Sequence, residues 1–143
     1  MTTTANPLYF DTAATTQMAP EVLAAMVEHL GNAATFANPS STAHVSGRAA
    51  ASIVEMARLQ IAVELGCEAD EVIFTSGATE ANNLALRGLA LEQSDHGRHL
   101  VTSRIEHKAV LACCESLTHE GFEVTYLTPN SRGWVDPADI AAA

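Results

Sequence analysis

Ser76-Gly77-Ala78-Thr79-Glu80 places two hydroxyls, a glycine and a carboxylate where an apolar run, EVIF, gives way to a helical pattern. A helix N-terminus exposes unpaired N–H groups and carries positive partial charge, so it suits an anion. Gly77 lets backbone approach closely, and the Ser76 and Thr79 hydroxyls can donate to phosphate oxygens. The same residues also make an ordinary turn in which Ser76 or Thr79 caps the helix, and pattern alone favours that simpler reading. The dinucleotide glycine pattern and the P-loop Gly-Lys-Ser/Thr are both absent, which points away from NAD and ATP as the source of an anion.

A second stretch, SRIEHKAV (103–110), follows another apolar run. His107 falls near the first turn of the next helix, where an imidazole can stack on a flat ring or exchange a proton near neutral pH. An isolated surface histidine at a helix start is the plainer alternative. His96 and His99 flank a polar loop without identifiable metal partners, and no metal site is expected. His29 and His119 fall near helix ends, where a cation complements the dipole. Cys67, Cys113 and Cys114 are odd in number and two are adjacent. That favours reduced thiols over a structural disulfide, and none reads as a catalytic nucleophile.

These stretches need elements to hold them. Pro20 opens a helix expected to run to Leu30, with Gly31-Asn32 ending it. A Ser/Thr/Asn/Pro-rich loop leads to a helix over about 45–65, closed by Gly66. The chain then alternates: strand 71–76, helix 77–93, strand 98–103, helix 107–121, strand 122–128, turn 129–133, and a helix from Pro137. Strand–helix–strand alternation predicts a mainly parallel sheet with crossover helices, an α/β three-layer arrangement. Ligands of such sheets collect beyond the carboxyl ends of the strands, which is where the loops after Ser76 and Ser103 would lie.

Length and charge narrow the function classes. The 143 residues are 48% hydrophobic and 17% charged, an ordinary globular balance. Seven basic against 17 acidic residues give a net charge of −10, which argues against nucleic acid or an anionic membrane as a partner. MTTTANPLYF shows no signal peptide, and no run approaches the roughly 20 apolar residues of a membrane span. A cytoplasmic protein is expected.

Four blocks together resemble one family: YFDTAATT (9–16), NPSSTAHVSG (38–47), EVIFTSGATEANNLALRG (71–88), and SRIEHKAVL (103–111) followed by GFEVTYL (121–127). In order and spacing they are similar to the N-terminal part of the cysteine desulfurases, pyridoxal-phosphate enzymes of the class V aminotransferase group. Gln17 stands where that family often has proline, and Ala37 where glycine often precedes Asn-Pro.

The resemblance implies a pyridoxal-phosphate fold type I large domain, of which 20–143 would be the first part and 1–19 an N-terminal arm. It implies that Gly77, Ala78 and Thr79 hold the cofactor phosphate, and that His107 stacks on the pyridine ring and assists proton transfer. Ala14, Thr15 and Asn38 would lie in loops on the substrate side. Implied partners are L-cysteine, a sulfur acceptor such as an iron–sulfur scaffold protein, and a second subunit in a homodimer. The lysine, aspartate and persulfide-forming cysteine of the family would lie downstream; Lys108, the one lysine here, does not match. The expected activity is therefore that of a longer desulfurase, with this fragment inactive alone. A selenocysteine lyase or other class V relative, a non-catalytic assembly fragment, and an unrelated phosphate-binding α/β domain are the alternatives.

Overall fold

A computed structural model describes residues 8–31 and 36–143. Residues 1–7 of the expected arm, and Asn32 with the start of the following loop, lie outside the described residues. The chain divides into two compact units, Met1–Val72 and Ile73–Ala143.

The first unit holds two helices. Helix α1 spans Pro20–Gly31, with proline in the first turn and Glu21 beside it to complement the dipole. None of its residues is buried, and Val22, Leu23, Met26, Val27 and Leu30 stay exposed. Helix α2 spans Val45–Leu65. Its C-terminus closes as the glycine predicts: Gly66 sits at φ 69°, its N–H reaches the Val63 carbonyl and the Cys67 N–H reaches the Ala62 carbonyl. That pair of bonds is a Schellman motif, which satisfies the last orphan carbonyls. A single 3-10 turn follows at Ala69–Glu71, where Glu68 and Glu71 exchange side-chain and backbone bonds. The Arg58 guanidinium, paired with Glu55 at 3.2 Å, ties this turn to α2 by donating to the Val72 carbonyl.

The second unit is built on strand β1 (His99–Ser103) and strand β2 (Glu123–Leu127), joined through helix α4 (Lys108–His119). The strands pair in parallel, His99 opposite Glu123 through Ser103 opposite Leu127, as a helical crossover requires. Helix α3 (Ala78–Glu92) packs on α4. Leu117, Cys113 and Phe122 are buried between them, with Leu86 and Ala90 of α3 and Leu100 of β1 against the cluster.

Local chemistry explains the sharp return from α4 into β2. Gly121 takes φ 87°, its N–H bonds the Thr118 carbonyl and the Phe122 N–H bonds the Leu117 carbonyl. Phe122 and Leu117 are the apolar contact that accompanies such a cap, so the helix stop and the core are one feature. Arg87 adds a polar clasp at its edge, donating to Ser116 Oγ at 2.9 Å and meeting Glu120 Oε1 at 2.7 Å. A six-residue helix, α5 (Pro137–Ala142), follows, capped by Asp136 through the Ala138 N–H.

The alternation expected after residue 76 stands, with helix and strand ends shifted by a residue or two. The expected strand at 71–76 does not form. Its first residue belongs to the 3-10 turn, and Val72 to Thr75 make no ladder. A β-type sequence becomes a strand only when a neighbour accepts its hydrogen bonds, and among the described residues the sheet consists of β1 and β2 alone.

Candidate functional site

Helix α3 begins at Ala78 with Gly77 as its N-cap, and no side chain caps it. No side chain takes its first amide groups, and a Cβ added at Gly77 would meet nothing within 4 Å. Gly77, Ala78 and Thr79 are all exposed. Small residues, uncapped donors and the positive end of a 15-residue helix form a cradle that fits a phosphate.

The hydroxyl expected to share that role at Ser76 is engaged elsewhere. Ser76 Oγ and Ser76 N both donate to Glu80 Oε2, each at 2.6 Å. These bonds hold the Glu80 carboxyl below its ordinary range, the side-chain bond from Ser76 contributing most. Thr75 Oγ1 donates to the Gly77 carbonyl at 3.1 Å, and Asn83 Nδ2 to the Thr79 carbonyl at 2.9 Å. Side chains thus fix the turn while leaving the Ala78 and Thr79 amides uncapped.

His107 sits at the start of α4, as expected, and is exposed. It is the N-cap itself: Nδ1 accepts from the Ala109 N–H at 3.1 Å. In the neutral ring this leaves the hydrogen on Nε2, directed away from the backbone. The capping and functional readings are therefore compatible, because one nitrogen serves each.

Ala14, Thr15 and Asn38 lie in the first unit, Gly77, Ala78, Thr79 and His107 in the second. Ala14 and Thr15 are exposed in a turn whose N–H groups bond the Asp11 carbonyl at 3.1 and 3.4 Å. Asn38 heads a tight loop: Oδ1 accepts from Ser40 N at 2.9 Å and its carbonyl from Ser41 N at 3.0 Å. Arg48 donates to the Thr42 carbonyl at 2.9 Å, and His44 caps α2 by accepting from Gly47 N at 3.1 Å. The loop backbone lies so close to Gly47 that an added Cβ would sit 2.0 Å from the Ser41 carbonyl oxygen.

Sequence reasoning missed Glu80, His44, Gly47 and Arg48 as positioning groups. Glu80 had a signal, a first-turn carboxylate one helical turn beyond a serine. Histidine as an N-cap has little, because Ser, Thr, Asp and Asn dominate that position.

Burial pushes the Cys113 and Cys114 thiols up, so neither is poised as a nucleophile. Among the described residues, no group of three His, Cys, Asp or Glu could hold a metal, and no helix is long and apolar enough to cross a membrane.

Comparison with known proteins adds the wider context. Residues 8–143 match the family described as aminotransferase class-V. The chain is 47% identical over 137 residues to "Cysteine desulfurase IscS" of Pectobacterium carotovorum, covering 96% of this chain and 34% of that one. The protein of that name from Pseudomonas aeruginosa gives the same identity and coverage. The chain thus spans about a third of the length of the curated relatives it matches. Among solved structures, "SspA in complex with cysteine" superposes with a TM-score of 0.81 at 44% identity, covering 94% of this chain and 38% of the other. A "NIFS-like protein" superposes at 0.84 with 36% identity, covering 94% and 36%.

Proposed function

The chain belongs to the class V aminotransferase family and is homologous to the IscS and NifS-like cysteine desulfurases; from that premise we propose that it supplies the phosphate-holding part of a pyridoxal-phosphate site in a cysteine desulfurase. The observation that carries the proposal is the N-terminus of α3, uncapped by any side chain and opened by Gly77. In this reading the Ala78 and Thr79 amides and the Thr79 hydroxyl bind the phosphate, which the helix dipole favours. When bound, the cofactor supplies an electron sink for bond cleavage at the substrate α- and β-carbons.

His107 has two tasks. Its Nδ1 stays with the Ala109 amide, which orients the ring and leaves Nε2 to hold or pass a proton. Ala14, Thr15 and Asn38 serve the substrate side. L-cysteine as substrate is supported by the solved neighbour SspA in complex with cysteine. Residues 20–143 form the first part of a large domain and 1–19 an arm, the lysine and persulfide cysteine being supplied from outside the residues matched here. The assembled enzyme is a cytoplasmic homodimer that hands sulfur to an acceptor such as an iron–sulfur scaffold protein.

The test uses the intact polypeptide that carries these residues. Loaded with pyridoxal phosphate and given L-cysteine, it should release L-alanine and leave sulfane sulfur on the protein. Thr79→Ala should weaken cofactor binding about tenfold, the size of a lost bond to a charged group. No alanine from cysteine rejects the desulfurase assignment, and unchanged cofactor affinity in Thr79→Ala removes Thr79 from the site.

A further inference from the structure

We propose that Glu80 is a positioning residue for cofactor phosphate binding: its carboxylate clamps Ser76 so that the first amides of α3 stay open to the anion. This inference rests on the reading of the α3 N-terminus as the phosphate site.

The geometry departs from an ordinary cap. In a capping box, a glutamate at the third helical position reaches back to the N-cap amide. Here the N-cap is Gly77, and Glu80 reaches past it to Ser76. One oxygen, Oε2, accepts from both Ser76 N and Ser76 Oγ. A serine beside a helix start is also a natural cap, whose oxygen can turn to take a first-turn N–H. Drawing the Ser76 hydroxyl into a bond with a carboxylate removes that competitor. Thr75 and Asn83 act in the same sense, Thr75 giving its donor to the Gly77 carbonyl and Asn83 to the Thr79 carbonyl of the first helical turn, neither taking an amide. Four side chains, Ser76, Glu80, Thr75 and Asn83, are therefore committed to one another or to carbonyls, and the first amides of α3 remain uncommitted.

A negative charge in the first turn has a simpler use, offsetting the helix dipole. That role needs charge alone and would be lost in glutamine. The clamp needs an acceptor at the right reach, which glutamine retains through its amide oxygen. Glu80→Gln separates the two.

The experiment measures the affinity of the intact polypeptide for pyridoxal phosphate and for pyridoxal, which lacks the phosphate. The ratio of the two isolates the phosphate contribution from general damage. Glu80→Ala should lower that ratio about tenfold, and Glu80→Gln should stay within about threefold of the parent protein. A ratio unchanged in Glu80→Ala, or a glutamine variant no better than alanine, overturns the proposal. Should Glu80→Ala fail to fold, Ser76→Ala carries the test. It removes the competing hydroxyl itself and should leave the ratio within about threefold of the parent protein; a tenfold loss overturns the proposal equally. Thr79→Ala marks the boundary with the underlying reading. If neither Thr79→Ala nor Glu80→Ala changes the ratio, the phosphate site itself is wrong and this inference falls with it; if Thr79→Ala lowers the ratio while Glu80→Ala does not, only the clamp is wrong.

Discussion

His107 caps α4 by accepting a hydrogen bond from the Ala109 amide through Nδ1, at 3.1 Å. The bond ties the ring's orientation to the helix start and leaves Nε2 as its outward donor.

Stability and catalysis should therefore separate at this position. His107→Asn keeps an N-cap acceptor but removes the ring. Asparagine should hold the unfolding midpoint near that of the parent, whereas His107→Ala should cost about 1 kcal/mol. Turnover of L-cysteine by the intact polypeptide should fall in both. Denaturant unfolding beside steady-state kinetics checks this, and full turnover in the asparagine variant would confine His107 to capping.

Gly47 should tolerate no side chain. Besides its clash with the Ser41 oxygen, an added Cβ would lie 2.8 Å from the Ser41 carbonyl carbon and 3.2 Å from the Asn38 carbonyl oxygen, all backbone atoms. Gly47→Ala must displace the loop or α2, at about 1–3 kcal/mol. Because Asn38 heads that loop, the KM for L-cysteine should rise more than kcat falls. A variant with wild-type melting temperature and KM would show that the loop yields freely.

The thiols should react in a fixed order. Cys113 and Cys114 are 2% and 1% exposed, and burial pushes both thiols up; Cys67 is half-buried. Iodoacetamide at mild pH should label Cys67 in the native protein and the other two only after unfolding, as peptide mass spectrometry would report. The buried pair also sets a sign. Above the ordinary thiol range the unfolded chain has lost protons that the native protein keeps, so stability falls as pH rises there. Native labelling of Cys113 would contradict the packing around Leu117.

What the sequence disclosed divides by range. Helices α2, α3 and α4 were legible because periodicity and the stops at Gly66 and Gly121 are local signals. The parallel pairing of β1 and β2 followed from the helix between them. Val72 to Thr75 misled, since β-type composition says nothing about whether a neighbour is present to pair with. The glycine-led start of α3 was legible as a pattern, but not the use of Ser76: which oxygen a hydroxyl chooses depends on where Glu80 points. His44 and Gly47 were hidden because their role depends on a loop folding back on α2.

The β1–β2 ladder has a colloidal consequence. Among the described residues the sheet has two strands, and each outer edge offers backbone donors and acceptors to a further strand. The net charge of −10 holds copies apart, but that repulsion reaches only about 10 Å at 0.1 M salt and shrinks as salt is added. The balance between edge pairing and charge repulsion among copies of these residues is thus set by ionic strength.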